Sequence, residues 1–399
     1  MHKLELSHRI TFGLCKVNIL SNDFMQALIT LGAFLLTLGI LVGFHEFGHF
    51  LAARACGVQV LRFAIGFGKP LLTYRAANQT EWVLASIPLG GYVKLLDGRD
   101  QNQVIQPDDQ KNAFDYKPLW QRSLIVAAGP FANFFLAVVL FSVIYVSGVP
   151  QLPAVLQSPP ENSLAHQLGI SQDDRVLGWQ EFSSDGVPIS EEFKAVRSWN
   201  TLRWNLMDAL TAGDGFALNL EDSQGSRLIK LFKAEDLPKM RSDGDSMKEL
   251  GLLPKAIPLN QWPELKLNLL DASAYATQRV WLITKVSARL MLGLFTGQAS
   301  LKQLGGPLSI ADMAGKSAQI GWQPFLAFLA LISISIGMLN LLPFPMLDGG
   351  QLLYDAWELV ARKRISVSVQ EQLQKAGFFL LISLSLLALF NDLQRYFLS

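Results

Sequence analysis

Four runs of this chain are apolar and almost free of charge, and about 20 such residues are what a helix needs to cross the hydrocarbon core of a membrane. The first runs from Phe24 to His45, between Asp23 and Glu46. The second starts after Arg122 and stays uncharged through Val149. A third extends from Ser317 to Leu347, between Lys316 and Asp348. The fourth, Ala376 to Asn391, is shorter, and residues 369–375 can lengthen it. Composition agrees, since only 17% of residues are charged where soluble domains carry about 25%. The sequence therefore predicts transmembrane helices at residues 24–54, 120–149, 317–351 and 376–396. A secretory signal peptide does not explain the first run, which is too long and lacks a small-residue cleavage site. Residues 1–23 read as a polar tail without pattern, and Met25 offers an alternative start for the chain.

Lysines and arginines in short loops set the orientation. Arg362, Lys363 and Arg364 place the connector 352–375 in the cytoplasm, and Arg54 agrees. Lys3, Arg9 and Lys16 in the tail oppose it. Residues 150–316 are then expected outside, as a domain over 150–257 followed by an interfacial helical segment over 258–316. The net charge of +1 leaves no basic footprint for a nucleic acid. Two cysteines, Cys15 and Cys56, are too few for a disulfide framework or a thiolate zinc site.

The first span ends in His45-Glu46-Phe47-Gly48-His49. Histidines four apart lie on one face of a helix, about 6 Å apart along its axis. Two imidazoles can there meet one Zn²⁺, with Glu46 placed to take a proton from water. The plain alternative is a chance pair packed at a helix end. A glutamate at membrane depth argues against it, because such a charge is expensive without a partner or a function.

A catalytic zinc takes three protein ligands and keeps one position open. The chain has five histidines. His2 and His8 fall in the tail and His166 in the outer region, so the third ligand must be a carboxylate. Asp348 closes the third run within Asn340-Leu-Leu-Pro343-Phe-Pro345-Met-Leu-Asp348-Gly349-Gly350. Prolines and glycines break the helix there, and irregular backbone at membrane depth is tolerated only inside protein or around a cavity. Spans one and three run in the same direction, so His45, His49 and Asp348 can converge near the cytoplasmic face. Asp392, closing the fourth run on the opposite side, is the weaker candidate.

Together the HEFGH and NLLPFPMLDGG segments resemble the site-2 protease family of intramembrane zinc metalloproteases. The segments ARACGVQVLRFAIGFGKP (53–70), IPLGGYVKLLDG (87–98), AAGPFANF (127–134) and GGPLSIA (305–311) extend the resemblance over nearly the whole chain. It implies zinc ligands at His45, His49 and Asp348, Glu46 as general base, and Asn340 as a residue that holds the substrate backbone. It implies single-span membrane protein substrates, among them an anti-sigma factor and remnant signal peptides. It also implies an upstream protease that trims them, and a place in the bacterial inner membrane. Gln351 departs from the family, whose members carry His or Arg after the two glycines.

Val58–Tyr74 and Glu81–Leu96 read as strands, the second broken at residues 87–91. By resemblance, residues 55–119 form a β-structure dipping into the membrane beside the metal; the plain reading is a cytoplasmic hairpin. Gly129 and Asn133 of the second span fit helix packing, and the resemblance adds substrate contact as a role for both. Residues 163–176 resemble part of a PDZ domain, and Leu250-Gly251-Leu252 its carboxylate-binding turn. The outer region has room for one such domain where relatives carry two. Residues 278–296 are apolar but interrupted by Lys285 and Arg289, as in an amphipathic interfacial helix.

The expected fold is a polytopic α-helical membrane protein of four transmembrane helices, with a membrane-associated β-structure and an exported α+β PDZ-like domain. The expected function is zinc-dependent peptide hydrolysis within the bilayer. A zinc transporter or sensor would place further polar residues along several spans, and these are nearly bare of them. An inactive PDZ scaffold has no need of the intact HEFGH pattern.

Overall fold

The computed structural model describes residues 2–99, 105–183, 186–238, 246–295 and 306–398. Along the chain come helix α1 (His2–Ala55), strands β1 (Val60–Arg75) and β2 (Glu81–Leu95), helix α2 (Leu119–Ser147) and strand β3 (Val149–Pro150). Helix α3 (Leu164–Gln167), strands β4 (Arg175–Phe182) and β5 (Lys194–Ala195), and helix α4 (Trp199–Ala212) follow. Then come β6 (Gly215–Glu221), β7 (Arg227–Phe232), α5 (Ser246–Leu250), β8 (Glu264–Leu265) and α6 (Leu269–Phe295). The chain ends with α7 (Pro307–Ile320), α8 (Trp322–Leu341), α9 (Asp348–Ala361) and α10 (Val367–Leu398). It divides into two compact units, residues 1–140 with 305–399, and residues 141–304.

Among the described residues, four helices are long and apolar enough to cross a membrane: Phe24–Ala55, Leu119–Ser147, Trp322–Leu341 and Val367–Gln394. In the first unit large apolar side chains such as Leu36, Phe131 and Phe135 point outward, while Thr37, Asn133 and Ser333 are buried inside. Lipid rewards this inversion, because an apolar side chain loses nothing there and helices gain by packing small or polar groups together. The tail expected to lack pattern continues α1 as helix from His2. The third span starts at Trp322, not Ser317, because the backbone turns at Gly321. Residues 307–320, expected to close the outer segment and open the third span, form α7 instead. Ala314 and Phe328 bury against Ala33 of α1, an amphipathic packing that no charge-free run announces. Residues 296–305, with Gly305 of the GGPLSIA segment, lie outside the described residues.

Strands β1 and β2 form the expected hairpin, folded back on itself. Arg62 stands opposite both Lys94 and Glu81, and Ile65 opposite both Gly91 and Leu84. Residues 60–65 therefore lie between 91–95 and 81–84, and residues 70–75 pair with 81–85. The interruption at 87–91 marks where β2 changes its partner segment. Phe50, Phe63 and Trp82 pack under the hairpin with ring centroids 4.7–5.8 Å apart, joined by Val60 and Phe114.

The second unit holds an antiparallel sheet of order β5-β4-β6-β7. Helix α4 starts at Ser198, whose hydroxyl accepts from the Thr201 amide, and ends at left-handed Gly213. Its Leu202, Leu206, Ala209 and Leu210 share the core with Trp179, Phe216 and Phe232. Lys285 and Arg289, which interrupt the apolar segment 278–296, are paired within the unit. Both reach Asp208 of α4, at 2.7 and 2.6 Å. A carboxylate this buried keeps its charge only with such partners, and Trp281 and Leu292 are left exposed on α6.

Candidate metal centre

Helices α1 and α2 run antiparallel, and their small residues let them touch. Leu41 packs on Leu136, and farther along α1 His45 meets Asn133. A Cβ on Gly129 would fall 2.2 Å from His49 Nε2, so only glycine leaves room for that ring. The four-residue spacing of Gly129 and Asn133 thus matches that of the two histidines. The His49 Nδ1–H donates to the Ile125 carbonyl at 2.8 Å, which leaves the Nε2 lone pair free. Pro130 lies inside α2 just beyond and gives no amide to its hydrogen-bond ladder.

The third donor does not come from the end of a span. Helix α8 stops at Leu341, and the prolines carry the chain round a tight turn in which Leu347 donates to the Phe344 carbonyl. Asp348 is the first residue of α9. A Cβ on Gly349 would lie 2.1 Å from the Leu342 carbonyl, and one on Gly350 2.1 Å from that of Phe344. The two glycines let the new helix start flat against the turn. Helix α9 was hidden inside the expected connector because its polar side faces α2. Arg122 pairs with Glu358 at 2.8 Å, the Ser123 hydroxyl donates to Asp355 at 2.9 Å, and Gln351 donates to Asp355 at 3.3 Å. That cluster was missed; Arg122 next to Ser123 at the head of a span was the available signal.

His45, His49 and Asp348 come together. Asp348 Oδ2 lies 3.1 Å from His45 Nε2 and 3.5 Å from His49 Nε2, and the two Nε2 atoms are 3.2 Å apart. Zinc bonds of about 2.0–2.1 Å in tetrahedral array set donors about 3.3–3.4 Å apart, so the three atoms fit one ion. The chemistry fits as well, since Asp348 Oδ2 is buried and accepts no hydrogen bond. Three crowded lone pairs without a proton or cation between them repel one another.

Around them a cavity of about 600 Å³ is lined by Glu46, Tyr92, Val93, Asn340 and Met346. Asn340 Nδ2 stands 3.5 Å from His45 Nε2. Gly129 meets His49, and Asn133 is fully buried beside His45. His166 is exposed on the second unit, far in sequence from this centre.

Comparison with known proteins agrees. Residues 33–384 match the model of peptidase family M50. Protease RseP of Yersinia pestis is 33% identical over 93% of this chain and 100% of its own length. The regulator of sigma E protease of Haemophilus influenzae is 32% identical over the same shares. A Ralstonia nicotianae protein whose name includes "zinc metalloprotease" is 33% identical, again over 93% of this chain and all of its own. With that coverage, and with two histidines of an apolar helix gathered beside an aspartate, the chain belongs to peptidase family M50 and is a zinc metalloprotease of the site-2 type.

Proposed function

We propose that this enzyme hydrolyses peptide bonds within the transmembrane segments of single-span proteins, near the cytoplasmic face of a bacterial inner membrane. The convergence of three donors at 3.1–3.5 Å, two of them on an apolar helix long enough to cross a membrane, carries this reading. His45, His49 and Asp348 would hold Zn²⁺, which when bound would supply Lewis acidity near neutral pH. Glu46, in the same cavity, would take a proton from water and pass it to the departing amine. A helical substrate keeps its amides hydrogen-bonded and must unwind before one can be attacked. Segment 91–95 of β2 borders the cavity at the edge of the folded-back hairpin and offers a strand-like partner to the unwound chain. Asn340, beside His45, holds the substrate backbone. Relatives bearing the name regulator of sigma E protease support an anti-sigma factor as one substrate.

Cleavage of a model single-span substrate in detergent tests this. A zinc chelator should stop it. Glu46→Gln should lower it by about 10²–10⁴-fold while zinc content is unchanged. Loss of zinc together with activity would show Glu46 to be a ligand or a structural group.

The second unit is proposed to be a PDZ-like filter that keeps untrimmed substrates from the metal. The match to the Haemophilus influenzae protein runs over 444 positions, more than this chain's 399 residues, which suits one domain where relatives carry two. Strand β3 pairs with β8, and Leu156 bridges Pro254, so the chain enters and leaves the domain at one place. Residues 155–253 can therefore be replaced by a short flexible linker. Deletion should keep zinc bound and admit substrates whose exported domains are still attached. Slower cutting of trimmed substrate, with untrimmed substrate still refused, would mean recruitment instead. Recruitment needs the 250–252 turn, yet Leu250 and Leu252 are fully buried and the Gly251 amide already donates to Met247 and Lys248.

A further inference from the structure

His45 and His49 are both steered from α2, by different means. His49 gives its Nδ1 proton to the Ile125 carbonyl. The group facing His45 Nδ1 is the carboxamide of Asn133, with Nδ2 at 3.4 Å. Asn133 is fully buried, and its Oδ1 has no hydrogen-bond partner. Full burial leaves it no surface for a substrate.

An amide nitrogen donating to Nδ1 would require the lone pair there and put the ring proton on Nε2. That proton would point into the space between Asp348 Oδ2 and His49 Nε2, 3.1 and 3.2 Å away, where the metal donors converge. A half-turn of the carboxamide removes the conflict. Its two ends are nearly the same size, and hydrogen bonding decides which one faces a neighbour. Oδ1 gives up no partner in the turn, because it has none.

We propose that Asn133 is the positioning residue of His45: its side-chain oxygen accepts the Nδ1 proton and so leaves Nε2 open for zinc. The inference rests on the reading of His45, His49 and Asp348 as ligands. The Asn133 backbone is tied down, its main-chain carbonyl accepting from the Ser333 hydroxyl of α8 at 2.7 Å. Such outer partners fix the ring's tautomer and orientation, and losing one costs about 10–100-fold in metal affinity. Gly129 and Asn133 then divide one task, room for the first imidazole and a hydrogen bond for the second.

The test is zinc affinity of the purified full chain in detergent, measured by competition with a chelator, with thermal melting of the metal-free protein as a check on folding. Wild type should bind one Zn²⁺; failure there would reject the ligand assignment itself. Asn133→Leu should bind about 10–100-fold more weakly while melting near wild type. Asn133→Asp keeps an acceptor oxygen and should stay within a few-fold of wild type. Cobalt(II) in place of zinc should show its visible absorption shifted in the Leu variant and retained in the Asp variant. If Asn133→Leu does not fold, Asn133→Ala carries the same expectation. The proposal is overturned if the acceptor-free variant binds zinc as tightly as wild type, or if Asn133→Asp is as weak as it is.

Discussion

Asp348 and Asp392 each close an apolar run and each sits in the helical unit, yet their carboxylates meet opposite surroundings. Asp392 is fully buried and satisfied. The Gly306 amide donates to its Oδ1 and the Ser309 amide to its Oδ2, both at 3.0 Å, and the Ser309 hydroxyl adds a third bond. It caps the start of α7 from another helix, where amides lack partners of their own. Asp348 has a buried oxygen that accepts no hydrogen bond and faces two imidazole nitrogens. A buried charge that is paired holds structure together, whereas one left open among other donors is a place for a cation. Asp392 is fully buried and Asp348 only partly, but it is the inventory of donors that separates their roles.

The sharpest way to break this contrast is Asp348→Ala. Removing one of three donors should lower zinc affinity by more than about 100-fold, beyond what an outer partner is worth, and activity with it. The metal-free protein should melt no lower than wild type, because the buried Oδ2 accepts no hydrogen bond that would be lost. Full zinc content and turnover in this variant would mean that Asp348 is not a ligand.

Asp392→Ala should do the reverse. Zinc stoichiometry should hold, while stability falls by about 1–3 kcal/mol from a lost cap and unpaired amides. Denaturant unfolding with parallel metal analysis separates the two effects. Zinc loss without loss of stability would invert the comparison.

A third carboxylate gives a finer and smaller test. Burial pushes the Asp355 carboxyl above its usual range, against the Ser123 hydroxyl and the Arg122 charge, which pull it down. An acid raised in the folded state binds more protons folded than unfolded, so it lowers stability as pH climbs from the ordinary carboxylate range through the raised value. Ser123→Ala removes a donor to the ionised form. It should cost about 1 kcal/mol at neutral pH, and less as pH falls through the raised value and the carboxyl takes up its proton. A deficit independent of pH would show that the hydroxyl does not serve the charge.

Much of this was legible in the residues. The four spans follow from hydropathy, because lipid forbids unpaired backbone and unpaired charge alike. The His45–His49 pair follows from helical period, and the hairpin from β-rich segments punctuated at residues 76–80 and 87–91. The elements that escaped reading are amphipathic or short-lived in sequence. Helices α7 and α9 carry polar residues that look like loop until another helix covers them. The pairing of Lys285 and Arg289 with Asp208 was equally out of reach, because the partners lie 77 and 81 residues apart.

The sequence by itself determined that the chain carries four segments apolar enough to cross a membrane and that two imidazoles share a helix face at the end of the first, since both depend only on local composition and spacing. The tertiary structure alone decided how the loose ends were used. Asp348 reaches the histidines because a proline turn and two glycines start a new helix beside them. Asp392 is spent on α7 because that helix begins within reach of it. Asn133 faces His45 because antiparallel packing aligns two four-residue spacings on different helices. Each depends on distance between residues far apart in the chain, a quantity that no local pattern contains.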